Sequence, residues 1–219
     1  GDVYKRQLLS TVAYRIDGKP SYALEGSIFV AGVAIQWLRD QLGLIEHAAD
    51  TAEAFARTQG ETHGVYVVPA FTGLGAPYWQ PQARGLITGL TLDSDKDHLI
   101  TAFLQSVAYQ TRTLLDAMAA DGAPVTTLRV DGGMVVNEAF CQFLCDVLDV
   151  PVQRPADVET TVRGAGVLAA IGAGLFADLQ EAAALWRLGA DFVPTMPMAK
   201  RQALLAGYAR AVAQTLTVT

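Results

Sequence analysis

The helices of this chain are predicted by apolar residues that recur at spacings of three and four. A stripe of this kind over residues 28–42 predicts one amphipathic helix, opened by Gly26 and Ser27 and closed by Gly43. Ser94 and Asp97 resemble a capping box and predict the start of the longest helix. The same pattern predicts helical residues over 50–58, 100–118, 140–148, 160–174, 178–188 and 198–216.

Strands are predicted where β-branched and aromatic residues cluster between turn signals. Residues 8–16 and 21–25 flank an Asp-Gly turn at 17–18 and form a hairpin, and further strands are predicted over 64–68, 86–91, 128–131 and 150–153. Residues 69–79 hold two glycines, two prolines and three aromatic residues, which favours an ordered loop. A hairpin followed by strands alternating with helices predicts one α/β domain, a mixed sheet flanked by helices.

Composition narrows the class of protein without naming a function. The chain has 219 residues, 51% of them hydrophobic, and a net charge of −6. Its Lys and Arg are scattered, so nucleic acid is not expected as a partner. The apolar run 164–177 is too short to span a membrane, and the uncharged stretch 64–83 is broken by three prolines, so no membrane partner is expected.

The cysteines and histidines indicate neither a disulfide framework nor a metal site. Cys141 and Cys145 lie four residues apart on one predicted helix, and the three histidines are far from them and from one another in sequence. Buried thiols are therefore favoured over a metal pair. Without a signal-peptide pattern, a reducing, cytoplasmic location is expected.

The segment 127–133 carries the strongest sign of chemistry. An apolar strand runs into Gly132 and Gly133, and a helical pattern follows within a few residues. Glycine allows a ligand to approach the backbone closely, and a helix start offers free N–H groups and a positive dipole end. From the residues alone, a nucleotide pocket and a tight turn without a ligand remain equally open.

Several segments together resemble the FGGY family of carbohydrate kinases. They are residues 22–26, the loop 69–79, residues 85–90, residues 109–112 and residues 129–133, and the resemblance runs from about residue 8 to about residue 213. The loop resembles that of the glycerol kinases in this family. The resemblance implies an actin-like ATPase (ribonuclease H-like) fold with ATP and substrate between two domains, of which residues 8–219 resemble the second.

The resemblance also implies the nucleotide-binding residues, carried over by position as Gly32, Gln36, Gly133 and Asn137. Glycines permit close approach and amides can bond to a base or ribose. Each amide follows its glycine by four residues, so on a helix the two would share one face. Helix packing by Gly32 and a surface role for Gln36 are the alternatives.

The same resemblance implies what the chain lacks. ATP with Mg²⁺ would phosphorylate glycerol, but the general base, the glycine-rich phosphate segment and the main glycerol ligands are expected before residue 8. We therefore expect no catalytic residue here, since Asp131 more often organises a turn. The chain alone should at most bind adenosine weakly, and the longer protein is expected to form homo-oligomers.

Two positions depart from the family pattern. Arg163 bears on the pocket rim, and Gln80 replaces an acid that would bear on the cleft. The first seven residues show no pattern and are interpreted as a non-native remnant. Another FGGY sugar kinase, or a non-catalytic actin-like nucleotide-binding module, are the competing hypotheses for function.

Overall fold

The computed structural model describes residues 8–16 and 18–217. The suspected remnant, residues 1–7, lies outside the described residues, as does Asp17 of the hairpin turn. In chain order the elements are β1 (Leu9–Ile16), β2 (Lys19–Glu25), α1 (Gly32–Asp40), α2 (Asp50–Arg57), β3 (Tyr66–Val68), β4 (Leu86–Thr88), α3 (Lys96–Ala120), β5 (Leu128–Arg129), a 3₁₀ helix (Gly133–Val136), α4 (Glu138–Leu148), β6 (Val152–Pro155), α5 (Thr160–Gly172), α6 (Leu179–Ala183), β7 (Leu188–Phe192) and α7 (Met198–Thr217).

The α/β class is confirmed, although the described strands form three small sheets instead of one. β1 and β2 make the antiparallel hairpin, with Leu9 opposite Glu25, and β3 pairs antiparallel with β4. The mixed sheet has the order β5-β6-β7, in which β5 is parallel to β6 and β7 is antiparallel to it.

Helix α3 is the centre of the main core. Its buried side chains include Ile100, Phe103, Leu104 and Tyr109, and it packs against α1, α2, α4, α7 and β3. The side chains that come to it from other elements are largely aliphatic and aromatic. One continuous apolar core therefore fixes α1, α2 and α4 relative to one another.

Helix α1 begins later than its apolar stripe predicts. Residues 26–31 are irregular, and the helix starts at Gly32. Close packing explains the difference: a Cβ on Gly75 would lie 2.6 Å from the Ser27 carbonyl oxygen, and a Cβ on Gly26 would overlap Leu114. The loop 69–79 and α3 therefore hold this segment in an irregular path.

The cap of α3 is one residue further along than predicted. Asp95 accepts from the backbone N–H groups of Asp97 and His98 at 2.9 and 3.1 Å, and the Nδ1 of His98 accepts from the Asp95 N–H at 3.3 Å. The Ser94 hydroxyl oxygen accepts from the Thr91 N–H at 3.0 Å instead. Ser94 thus closes the preceding turn and leaves the capping box to Asp95 and His98.

The prediction of a helix over residues 178–188 is wrong in its second half. Asp178 caps α6, which ends at Ala183, and residues 188–192 form β7. Gly189 packs closely, because a Cβ there would lie 2.7 Å from the Ala156 Cα. Pairing with β6 therefore overrides the helical propensity of this Ala-rich stretch.

Both cysteines are buried thiols, as predicted. Cys141 Sγ lies 3.2 Å from the Val135 carbonyl oxygen and Cys145 Sγ lies 3.2 Å from that of Phe192. Burial raises the pKa of each thiol to about 11. Among the described residues, no helix combines the length and the apolar character needed to cross a bilayer.

Candidate functional site

The four residues predicted to bind nucleotide line a single cavity of about 510 Å³. Gly32 and Gln36 reach it from α1, Gly133 from the 3₁₀ helix, and Asn137 from the start of α4. The packing around α3 thus brings together residues about one hundred positions apart in sequence. The volume lies in the range of small-molecule sites.

The two glycines leave backbone open at this cavity. A Cβ on Gly32 or on Gly133 would have no described atom within 4 Å outside its own local backbone. The alternative interpretation of Gly32, close helix packing, is therefore wrong for the described part of the chain. Open backbone of this kind allows a ligand atom to come close.

The start of α1 adds hydrogen-bond donors to the same wall. Gly32 is the first residue of the helix, and Ala31 before it provides no side-chain cap. The first N–H groups of a helix have no intrahelical partner, and the dipole makes this end positive. Gln36 lies one turn further on and places its exposed amide at the cavity.

The sequence predicted Gly133 and Asn137 on one face of the same helix, but the two residues do not share a helix. Residues 133–136 form the 3₁₀ turn, and Asn137 is the N-cap of α4. Its Oδ1 accepts from the Phe140 N–H at 3.1 Å, while its buried Nδ2 has no hydrogen-bond partner among the described residues. The amide oxygen thus serves the cap, and Nδ2 remains an unused donor on a residue that lines the cavity.

The opposite wall is apolar and comes from the start of α2. Ala48, Ala49 and Ala52 line the cavity there. The Asp50 carboxylate accepts from the backbone N–H groups of Glu46 and His47 at 2.8 and 2.9 Å. These bonds from His47 and Glu46 lower the pKa of Asp50 and hold the alanines in place.

Among the described residues, Arg39 is the one charged residue in the lining of this cavity. Its Nε donates to Asp40 Oδ1 at 2.6 Å, and its Nη2 donates to Asp40 Oδ2 at 3.0 Å. This pairing lowers the pKa of Asp40 through hydrogen bonding. An apolar cavity with a few polar groups at its edge suits a flat ring that carries nitrogen and oxygen atoms.

Sequence reasoning missed most of the apolar lining. The spacing of Ile35 and Arg39 from Gly32 is a helical signal that could have placed them on the same face of α1. No local pattern could have found Leu104 or the alanines around the start of α2, because long-range packing brings them to the cavity. The remaining lining residues are Thr51, Met134 and Val136.

Three other residues singled out in the sequence lie outside this lining. The Asp131 carboxylate contacts the Thr160 hydroxyl, which joins the glycine turn to α5. Arg163 donates through Nη2 to the Leu185 carbonyl at 2.8 Å. Gln80 closes the loop 69–79 through two 2.9 Å backbone bonds with Leu74. These placements indicate structural contacts for all three residues.

Comparison with known proteins gives the same family at every level. The model of the FGGY family of carbohydrate kinases, C-terminal domain, matches residues 5–173. Glycerol kinase 1 of Pseudomonas aeruginosa is 55% identical over 208 residues, which are 95% of this chain and 42% of that protein. The chain thus spans less than half the length of this relative.

Solved structures are also similar over nearly the whole chain. A crystal structure of Plasmodium falciparum glycerol kinase with ADP has a TM-score of 0.86 and 34% identity over 97% of this chain and 42% of that one. Xylulose kinase from Rhodospirillum rubrum has a TM-score of 0.77 and 26% identity over the same shares. The fold is accordingly the actin-like ATPase, ribonuclease H-like fold that the resemblance implied.

Proposed function

Because this chain belongs to the FGGY family of carbohydrate kinases, we propose that it forms the nucleotide-binding side of an ATP:glycerol 3-phosphotransferase. The longer protein would transfer the γ-phosphoryl group of ATP to glycerol and give glycerol 3-phosphate. The observation that carries the proposal is the single cavity lined by Gly32, Gln36, Gly133 and Asn137. In the proposed complex this cavity takes the adenosine of ATP.

Each group in the cavity has a task in this proposal. The open backbone at Gly32 and Gly133 admits the nucleoside, and the apolar wall covers a face of the base. Gln36 and the Nδ2 of Asn137 supply hydrogen bonds to base or ribose atoms. By fixing the adenosine end, these residues orient the phosphates for transfer elsewhere in the longer protein.

Metal chemistry is not assigned to these residues. The described part of the chain brings no three His, Cys, Asp or Glu side chains together as a metal cluster. We propose that Mg²⁺ enters with the phosphates of ATP, as it commonly does in kinases. The general base and the glycerol ligands are likewise proposed to lie in the part of the protein outside this chain.

Glycerol is proposed over a ketose because of the relatives. The glycerol kinase structure is more similar in both identity and TM-score than the xylulose kinase structure. The loop 69–79 also resembles that of glycerol kinases. We further propose a cytoplasmic, homo-oligomeric enzyme.

Substrate-dependent ATP consumption by the longer protein tests the proposal. The purified protein is assayed with a panel of polyols and ketoses, and the highest kcat/KM is expected with glycerol. A ketose with the highest value would support another FGGY sugar kinase. ATP binding without turnover on any substrate would support the non-catalytic module.

Substitution of Gly133 tests the nucleotide site itself. In the longer protein, Gly133→Val should weaken ATP binding about tenfold or more, because its methyl groups occupy space proposed for the nucleoside. Gly133→Ala should have a smaller effect. Neither side chain meets described protein atoms at its Cβ, so the unfolding temperature should not change. Unchanged ATP affinity in isothermal titration of the valine variant would contradict the assignment.

A further inference from the structure

Among the described residues, the hydroxyl group of Tyr208 is the second buried polar group without a hydrogen-bond partner, after the Nδ2 of Asn137. Tyr208 lies on α7 with 4% of its surface exposed, and its ring stacks on Tyr109 at a centroid distance of 4.9 Å. Its hydroxyl oxygen has no hydrogen-bond partner among the described residues. A buried hydroxyl without a hydrogen bond is destabilising, so a native structure normally supplies a partner.

Burial keeps this group in its neutral form. Desolvation raises the pKa of Tyr208, and a smaller effect in the same direction comes from Tyr78. The hydroxyl is therefore protonated at physiological pH and can both donate and accept a hydrogen bond.

The Tyr208 side chain borders a small cavity that is separate from the nucleotide cavity. This second cavity lies where α7, α3, the loop 69–79 and the irregular segment 26–31 meet. The centre of a water molecule can occupy a volume of about 10 Å³ in this cavity. That space suits one water molecule and no larger ligand.

Other polar side chains face the same cavity. Ser27, Gln110 and Thr113 line it together with Tyr78 and Tyr208. These five residues come from four different segments of the chain, and none carries a formal charge. The lining thus offers hydroxyl and amide groups, which suit water, and no carboxylate for a cation.

Two of these side chains already use their donors on α3. The Thr113 hydroxyl donates to the Tyr109 carbonyl at 3.1 Å, and Gln110 Nε2 donates to the Ser106 carbonyl at 3.2 Å. The Thr113 hydroxyl is also hydrogen-bonded to the Tyr78 side chain, so the amide oxygen of Gln110 is the acceptor that this pair offers. An acceptor on α3 and a donor on α7 are two of the partners that a bridging water needs.

We propose that this cavity is the site of one structural water molecule, which accepts a hydrogen bond from Tyr208 and donates to acceptors on α3 and at Ser27. The water links α7 to the centre of the core and to the segment that leads into α1. Nothing in this site depends on the nucleotide cavity. The ligand class is therefore water, and the role is to position α7 and the loop 69–79.

The sign of a stability change tests the proposal. Tyr208→Phe removes only the hydroxyl group, and the unfolding temperature of the longer protein is measured. If the hydroxyl bonds to water, the variant should be less stable by about as much as Tyr109→Phe. Tyr109 is the matched control, because its buried hydroxyl donates to Gln105 Oε1 at 3.1 Å. Tyr22→Phe, at a position 69% exposed, should change nothing.

An unchanged or higher unfolding temperature for Tyr208→Phe would overturn the proposal, because removal of an unbonded hydroxyl should be neutral or stabilising. A crystal structure of the longer protein provides the second measurement. Ordered solvent density within hydrogen-bond distance of the Tyr208 oxygen is expected in the wild type and should be missing in Tyr208→Phe. A site without such density in well-ordered wild-type crystals would also overturn it.

Discussion

The side chain of Asn137 has two polar atoms, and the structure separates their tasks. Oδ1 caps α4 through the Phe140 N–H, whereas Nδ2 is buried, has no hydrogen-bond partner among the described residues and belongs to a residue that lines the proposed nucleotide cavity. An amide is suited to both tasks because one end accepts and the other donates. The two tasks can therefore be changed independently.

Asn137→Asp should keep the cap and lose the donor. Aspartate caps helices as well as asparagine does, so the unfolding temperature should stay close to that of the wild type. ATP affinity of the longer protein should fall about tenfold or more, because an oxygen replaces the donating nitrogen. Asn137→Ala, which also loses the cap, should cost about 1 kcal/mol of stability. Wild-type ATP affinity of the aspartate variant in calorimetric titration would show that Nδ2 does not meet the ligand.

Glycine has opposite surroundings in two of the helices. In α7, Gly207 is buried and a Cβ there would overlap the ring and hydroxyl of Tyr66. In α5, a Cβ on Gly166 would meet no described atom within 4 Å, and no residue of this helix is buried. Helix α5 is rich in small residues, yet the described chain places no atom close to this glycine.

Opposite effects are expected when these glycines are replaced by alanine. Gly166→Ala should stabilise the chain by about 0.5–1 kcal/mol through helix propensity. Gly207→Ala should destabilise it by about 1–2 kcal/mol, because the steric overlap with Tyr66 costs more than the gain in helix propensity. Urea unfolding of both variants of this chain measures the difference. A loss of stability at Gly166 would contradict the open surface of α5.

The molecule as a whole is held together by contacts between segments distant in the chain, and several of these contacts are ionic. Arg57 on α2 donates through Nε and Nη2 to Asp97 on α3, at 2.6 and 2.9 Å. These hydrogen bonds from Arg57 are the main reason that the pKa of Asp97 is lowered. A carboxylate with a lowered pKa stabilises the fold only while it is ionised.

The pH dependence of stability should report this contact. The contribution of Asp97 is complete above its ordinary pKa of about 4 and disappears as the pH falls through its lower pKa in the folded chain. Asp97→Asn should therefore be less stable than wild type at pH 7, and the difference should shrink on acidification below about pH 4. Denaturant unfolding across pH 3–7 measures it. The double variant with Arg57→Gln should be no less stable than Asp97→Asn alone, and an additive loss would contradict the pairing.

Much of the architecture could be predicted because its signals are local. The apolar stripes placed most helices, the turn residues placed the hairpin, and the clustered glycines and prolines of residues 69–79 marked the ordered loop. The two buried cysteines also follow from their spacing on one helical face. In each case the physical cause acts within a few residues of the pattern that reveals it.

The tertiary structure decided what no local pattern contains. It moved the start of α1 to Gly32, converted the end of a predicted helix into β7, and made Asn137 a cap as well as a cavity residue. The family resemblance identified the four residues predicted to bind nucleotide. Their common cavity exists only because α3 holds α1, α2 and α4 together. Glycine and helix periodicity set the conformation of each short segment, whereas packing between distant segments determines which of those segments face a shared ligand.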